Sequence, residues 1–275
     1  MTININEILT NEKEKGLAII RKSLREMKLD KRKKYILVVD VEATTRNGTQ
    51  LEMQQGKNLF YDLGFMVTDK KGTNYLQGSL LVDEIWNDES LMNSAYYANK
   101  IPLYEQKLKD NLIHVLPFLE IRKLLRFIVD KFNVTQFSAY NLSFDIGSLN
   151  YTSYQLTDSY NSHFFGFNQR KNLKKVDIWT LVCKTVFIQK GFPGFCADNG
   201  FISPKGNYET TAEVAYSYLN REPEFEEEHT GLADVFIEVE LMKYAYRQRK
   251  KIGDTYEWDP WRKANNFIKH DRKNW

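Results

Sequence analysis

The chain has only two cysteines, Cys183 and Cys196, and their spacing fits neither a CxxC motif nor a disulfide framework. Cysteine usage therefore excludes a disulfide-stapled secreted domain and predicts a reducing, cytoplasmic setting. Proline (6) and glycine (14) are too sparse for a collagen-like or linker-rich chain. The longest apolar runs, such as residues 35–39, fall far short of a bilayer, so no membrane association is expected. The opening MTININEILTNEKEKG lacks the basic start and apolar stretch of a signal peptide. No internal repeat or low-complexity stretch is visible.

What is present suits one large core with decorations. The 275 residues can bury a sizeable interior, and 42% apolar with 27% charged residues reads as globular rather than disordered. The net charge is only +3, but it is unevenly spread: residues 1–34 carry +5, residues 241–275 carry +6, and the remainder carries −8. An acidic body between basic ends suggests a polyanion held at the ends and cations held in the middle.

Apolar residues Leu17, Ile20, Leu24 and Met27 recur at helical spacing, so an amphipathic helix is expected over 6–28, ended by the basic run at 28–34. Residues 35–41 (YILVVDV) read as a buried central strand. Strands are also expected at 60–67 and 75–82, joined by a turn at 69–72, and at 136–140 and 175–178. Helices are expected at 117–132, from about 143, from 178 to about 188, and at 211–219 and 230–250. Residues 84–109 read as helical or irregular, 191–208 as loop and 222–228 as an acidic loop. Early strands joined by short turns are antiparallel, and those joined through helices are parallel. The expectation is a mixed five-stranded α/β sheet flanked by helices. An N-terminal helical extension (1–34), a main domain (35–246) and a basic, Trp-containing extension (247–275) divide the chain.

Three acidic patches carry the chemistry. Asp40 and Glu42 close the first strand, and side chains at i and i+2 share a face. Two carboxylates around 4 Å apart repel by roughly 4 kcal/mol at an effective dielectric of 20, so the pair must share a proton or hold cations. Hard oxygen ligands suit Mg²⁺ or Mn²⁺. Asp145 lies just beyond the strand at 136–140. In His229-Thr-Gly-Leu-Ala-Asp234, Thr230 is placed to cap the following helix, with Asp234 beside its apolar stripe.

Asp40-x-Glu42, Asn141-x-x-Phe-Asp145 and His229-x4-Asp234, in this order, resemble the three motifs of the DEDDh (DnaQ-like) 3′–5′ exonucleases, which have a ribonuclease H-like fold. The motifs stand 105 and 84 residues apart, and the resemblance covers about residues 35–245. It implies that Asp40, Glu42, Asp145 and Asp234 ligate two Mg²⁺ or Mn²⁺ ions and that His229 is the general base. The tyrosine branch of the family has Tyr four residues before the last Asp; here that position is Thr230. Two departures stand out: the second motif begins Tyr140-Asn141 rather than His-Asn, and the stretch 190–228 is long. Residues 206–219 resemble stand-alone phage-type members.

Two cations about 3.5–4 Å apart can hold a phosphodiester between them, and a neutral histidine can take a proton from water near pH 7. The implied activity is hydrolysis at the 3′ end of nucleic acid, with single-stranded DNA as the expected substrate. An exoribonuclease and a catalytically silent nucleic-acid-binding module are the rival readings; the complete acidic set argues against the second. Basic residues at 28–34, with Arg247, Arg249, Lys250, Lys251, Arg262, Lys263, Lys269, Arg272 and Lys273, could attract a phosphate backbone. Trp258, Trp261 and Trp275 among them could stack on bases but are better read as anchors of the tail. Phe192, Phe195 and Phe201 are likewise read mainly as packing.

Overall fold

In a computed structural model, the structure describes residues 2–9, 13–157, 163–253, 255–257 and 260–262. Trp258, Trp275, Lys263, Lys269, Arg272 and Lys273 lie outside the described residues. The chain begins with β1 (Ile3–Asn4), α1 (Ile5–Ile8) and α2 (Lys13–Glu26), then β2 (Ile36–Thr44), α3 (Gln50–Gln54), β3 (Leu59–Thr68) and β4 (Leu76–Val82). Helices α4 (Asp83–Trp86), α5 (Glu89–Asn93) and α6 (Ile101–Lys109) lead to β5 (His114–Leu116) and α7 (Phe118–Phe132). Then come β6 (Gln136–Ala139), α8 (Leu142–Thr157), α9 (Phe167–Asn172) and β7 (Lys174–Asp177). The last helices are α10 (Ile178–Cys183), α11 (Phe192–Asn199), α12 (Ala212–Asn220) and α13 (Gly231–Arg247).

The sheet is mixed, in the order β1-β4-β3-β2-β6-β7 with β5 also on β4. β2 runs antiparallel to β3 and parallel to β6, and β6 runs parallel to β7. Among the described residues it has seven strands rather than the expected five. The two extra strands, β1 and β5, both lie parallel against β4. At two and three residues they are too short to show a period of two. Two further differences are local. The expected helix at 6–28 is broken into α1 and α2, and the stretch read as loop contains α11. Phe192 is fully buried there, and Phe195 stacks on Phe201, so these aromatics are packing. Trp261 packs against the core as an anchor.

Alternation along β2 separates two cores. Leu37, Val39, Val41 and Ala43 face the side covered by α2, α7 and α8. Ile36 and Val38 face the side covered by α10, α12 and α13. Asp40 and Glu42 continue that second face, so the strand changes from apolar to acidic where α13 begins. On β3, Met66, Gly64 and Asp62 lie opposite Val38, Asp40 and Glu42. A Cβ at Gly64 would lie 1.9 Å from the Gly231 carbonyl carbon, and a Cβ at Gly231 would lie 2.5 Å from the Gly64 nitrogen. The start of α13 therefore rests directly on strand backbone, which only two glycines permit.

Gly64→Ala is expected to destabilise the fold by at least about 3 kcal/mol, because the contact is backbone on backbone and cannot yield by a rotamer change. Gly147→Ala, within α8 where an added Cβ meets nothing within 4 Å, should instead be neutral or stabilise by up to about 1 kcal/mol. Urea unfolding of the two variants checks the opposite signs.

Candidate active site

The five residues singled out in the sequence, Asp40, Glu42, Asp145, His229 and Asp234, all line one cleft of about 690 Å³. They arrive from three segments of the chain. Asp40 and Glu42 come from β2. β6 pairs with β2 only as far as Val38, and beyond that point the Asp145 carboxylate accepts the Val41 N–H at 3.2 Å. Asp145 is thus tied to the β2 residue that stands between Asp40 and Glu42 in the sequence. Asn141, just before α8, has a left-handed backbone (φ 62°). Leu142, the first residue of α8, donates its N–H to Asp177 at the end of β7.

His229 also has a left-handed backbone (φ 57°), a conformation that histidine adopts more readily than most residues. Its ring stacks on Tyr97 with centroids 4.3 Å apart and planes 13° from parallel. Its Nδ1 lies 3.9 Å from a Glu227 oxygen, an electrostatic contact rather than a hydrogen bond. Ligand atoms of Glu42, His229 and Asp234 all lie within 4.8 Å of one another.

Thr230 occupies the N-cap position of α13 as expected, but its side chain makes no capping bond. Its hydroxyl donates to Glu228 and accepts from Lys107 instead. Asp62, a residue the sequence reading missed, accepts the Gly231 N–H at 2.8 Å, together with the Tyr104 hydroxyl at 2.8 Å and the Ser79 hydroxyl at 3.0 Å. Its signal was an aspartate followed two residues later by glycine inside an apolar strand. Two further carboxylates were also missed. Glu238, four residues after Asp234 and on the same helix face, accepts the Tyr140 N–H at 2.9 Å. Glu227, from the acidic loop, turns into the cleft.

The carboxylates fall into two kinds. Asp62 is buried with both oxygens hydrogen-bonded. Asp40 Oδ2, Asp145 Oδ2, Asp234 Oδ1, Glu227 Oε1 and Glu238 Oε2 are buried without any hydrogen-bond partner, and all five residues line the cleft. Buried carboxylate oxygens without donors call for protons or cations. Burial, then the charges of Asp62 and Glu227, pushes Glu42 up to about 8. Burial, then Glu227 and Glu42, pushes Asp234 up to about 9. Glu227 rises to about 7, by burial and then Glu213. Asp40 and Glu238 are also raised by burial first, then by neighbouring carboxylates. Asp145 is raised mainly by burial. Burial and then Lys100 lower His229, which favours the neutral imidazole at pH 7. This donor set, all oxygen apart from one imidazole, fits Mg²⁺ or Mn²⁺.

No family model matches the sequence, and no curated protein matches it. Solved structures do match. Exonuclease I from Methylocaldum szegediense aligns over 80% of this chain and 42% of its own length, with a TM-score of 0.53 and 13% identity. Exonuclease I in complex with the inhibitor BCBP aligns over 80% of this chain and 42% of that one, with a TM-score of 0.50 and 11% identity. This chain thus spans about two-fifths of the length of the exonucleases it resembles. At this identity the likeness is one of fold: the chain has the ribonuclease H-like α/β fold of exonuclease I.

Carboxyl groups with raised pKa values hold protons in the folded chain that the unfolded chain has already released. Metal-free stability should therefore fall as pH rises from about 6.5 to 9, through the folded values of Glu227, Glu42 and Asp234. His229 shifts in the opposite sense but acts only below its ordinary 6.5. Added Mn²⁺ should reverse the fall, as read from thermal midpoints. At pH 8 without metal, Asp40→Asn should raise the midpoint. Asp62→Ala should lower it, because three buried donors lose their acceptor at about 1–3 kcal/mol each.

Proposed function

We propose that this chain is a metal-dependent 3′–5′ exonuclease of the DEDDh kind, acting on single-stranded DNA. The observation that carries the reading is the ring of buried carboxylate oxygens without hydrogen-bond partners, set around one cleft with a half-buried histidine at its edge. The motif order and the exonuclease I-like fold support the 3′–5′ polarity. A cleft of this volume suits a terminal nucleotide better than an intact duplex.

Asp40, Glu42, Asp145 and Asp234 would hold two Mg²⁺ or Mn²⁺ ions. Those cations would supply charge neutralisation and activation of the scissile phosphodiester and its attacking water. The chain's residues supply the rest. The Val41 N–H and the α8 start orient Asp145, and the Gly64–Gly231 contact sets the reach of Asp234. His229, held in its neutral form and oriented by the Tyr97 ring, accepts the proton of the attacking water. Tyr96 is 71% exposed beside Tyr97 on the cleft wall and offers a surface against which a terminal base can rest.

Incubation of a 5′-labelled single strand with the protein and Mg²⁺ or Mn²⁺ should give a ladder shortening from the 3′ end. Asp40→Asn and Asp145→Asn should abolish the ladder while the fold persists, and His229→Ala should slow it by about 10²–10⁴-fold. Near-normal turnover in either aspartate variant, or release of the 5′-terminal mononucleotide from the outset, contradicts the reading.

A further inference from the structure

A second cleft, of about 1020 Å³, exceeds the acidic one in volume and lies at the opposite end of the sheet. It is lined by residues at the starts of β2, β6 and β7, by the β3–β4 turn, and by the end of α13 with the residues that follow. From Ile36 in this cleft to Asp40 in the other is four residues of strand, about 13 Å. Eight cationic side chains line it: Lys34, Lys70, Lys71, Lys174, Arg247, Arg249, Lys250 and Lys251. All eight are exposed, and no carboxylate is among the described lining residues. None of the eight forms an ion pair among the described residues, whereas Arg21, Arg32, Lys107, Lys123, Lys184 and Lys243 each pair with a carboxylate. An ordinary solvated face intersperses both signs; this one carries a single sign.

Two local explanations fall short. Cations near the end of α13 complement the helix dipole, but that effect spans one turn. It does not account for Lys34, Lys70, Lys71 and Lys174, which come from three other segments. Nor can the cations serve the acidic cleft directly, because they stand at the far ends of the same strands. Aromatic surface is also present: Lys70 lies 4.6 Å from the Tyr246 ring centroid, and the Tyr246 hydroxyl is fixed by Gln136 at 3.0 Å.

We infer that this basic cleft is a second nucleic-acid site, which binds the phosphodiester backbone of a DNA or RNA strand away from the bond being cut. The inference rests on the nuclease reading for its biological sense but not for its geometry. Without its cations the acidic cleft repels a polyanion, and with them it has room for the strand's end alone, so affinity for the rest of the strand has to come from elsewhere on the molecule. A strand held at this pole keeps a long substrate associated between cleavage events, while a very short oligonucleotide gains nothing from it.

The test compares wild type, the variant Lys70→Gln/Lys71→Gln/Arg249→Gln/Lys250→Gln, and the control Lys22→Gln/Lys57→Gln/Lys109→Gln/Lys190→Gln, whose four sites are exposed elsewhere. Fluorescence anisotropy in EDTA, with labelled DNA and RNA strands in separate arms, reads affinity against salt. For the cleft variant, affinity should fall at least about tenfold, and the logarithmic salt slope should become shallower by about 3, at roughly 0.7 per lost phosphate contact. The control should keep most of both. With metal present, KM for a long strand should rise in the cleft variant while kcat and the KM for a trinucleotide hold. Equal losses in both variants would assign the effect to net charge and overturn the inference, as would unchanged binding in the cleft variant. Hydrolysis by the wild type with no effect of the cleft variant sinks the cleft alone. Cleft-dependent binding without any hydrolysis sinks the nuclease reading alone.

Discussion

The contact between Gly64 and Gly231 is the constraint on which the rest of the site depends. β3 and the start of α13 meet backbone to backbone, and the Asp62 carboxylate accepts the first helical N–H from the strand side. That fixes where α13 begins relative to the β2 carboxylates. His229 then lies just before the helix, Asp234 in its first turns, and Glu238 one turn further on. A side chain at either glycine would push the helix away from the sheet and open the cleft. Asp62, whose two oxygens take three donors, is correspondingly a structural support for the others.

Much of this was legible in the sequence, because the signals were local. Carboxylates at i and i+2 at the end of an apolar strand share a face whatever the tertiary structure, and Asp40 and Glu42 do so. Asp145 and the His229–Asp234 pair were legible as polar residues at strand-to-helix and loop-to-helix junctions. Asp62 and Gly64 were not, because their meaning comes from a helix that reaches them from more than 160 residues away. Thr230 shows the same limit from the other side. Its N-cap position was readable, but its hydroxyl is taken by Lys107 and Glu228, and the cap comes from another strand. β1 and β5 escaped notice because they exist only by pairing with β4 and carry no periodicity of their own.

Charge is divided along the same strands. β2 starts beside a cluster of cations that form no ion pair among the described residues and ends among buried carboxylates, with an apolar stretch between them. Asp40, Glu42, Asp145, Glu227, Asp234 and Glu238 gather at one pole, and part of the terminal positive charge is gathered at the other together with Lys70, Lys71 and Lys174.

Divalent cations held by the crowded carboxylates would have to displace protons from them. Titration calorimetry of the metal-free protein with Mn²⁺ at pH 7.5, in buffers of different ionisation heat, reads both events at once. Saturable binding at two sites with net proton release is expected, because Glu42 and Asp234 hold protons there that the cations must displace. The absence of saturable binding, or binding that releases no protons and persists in Asp40→Asn, would contradict this expectation.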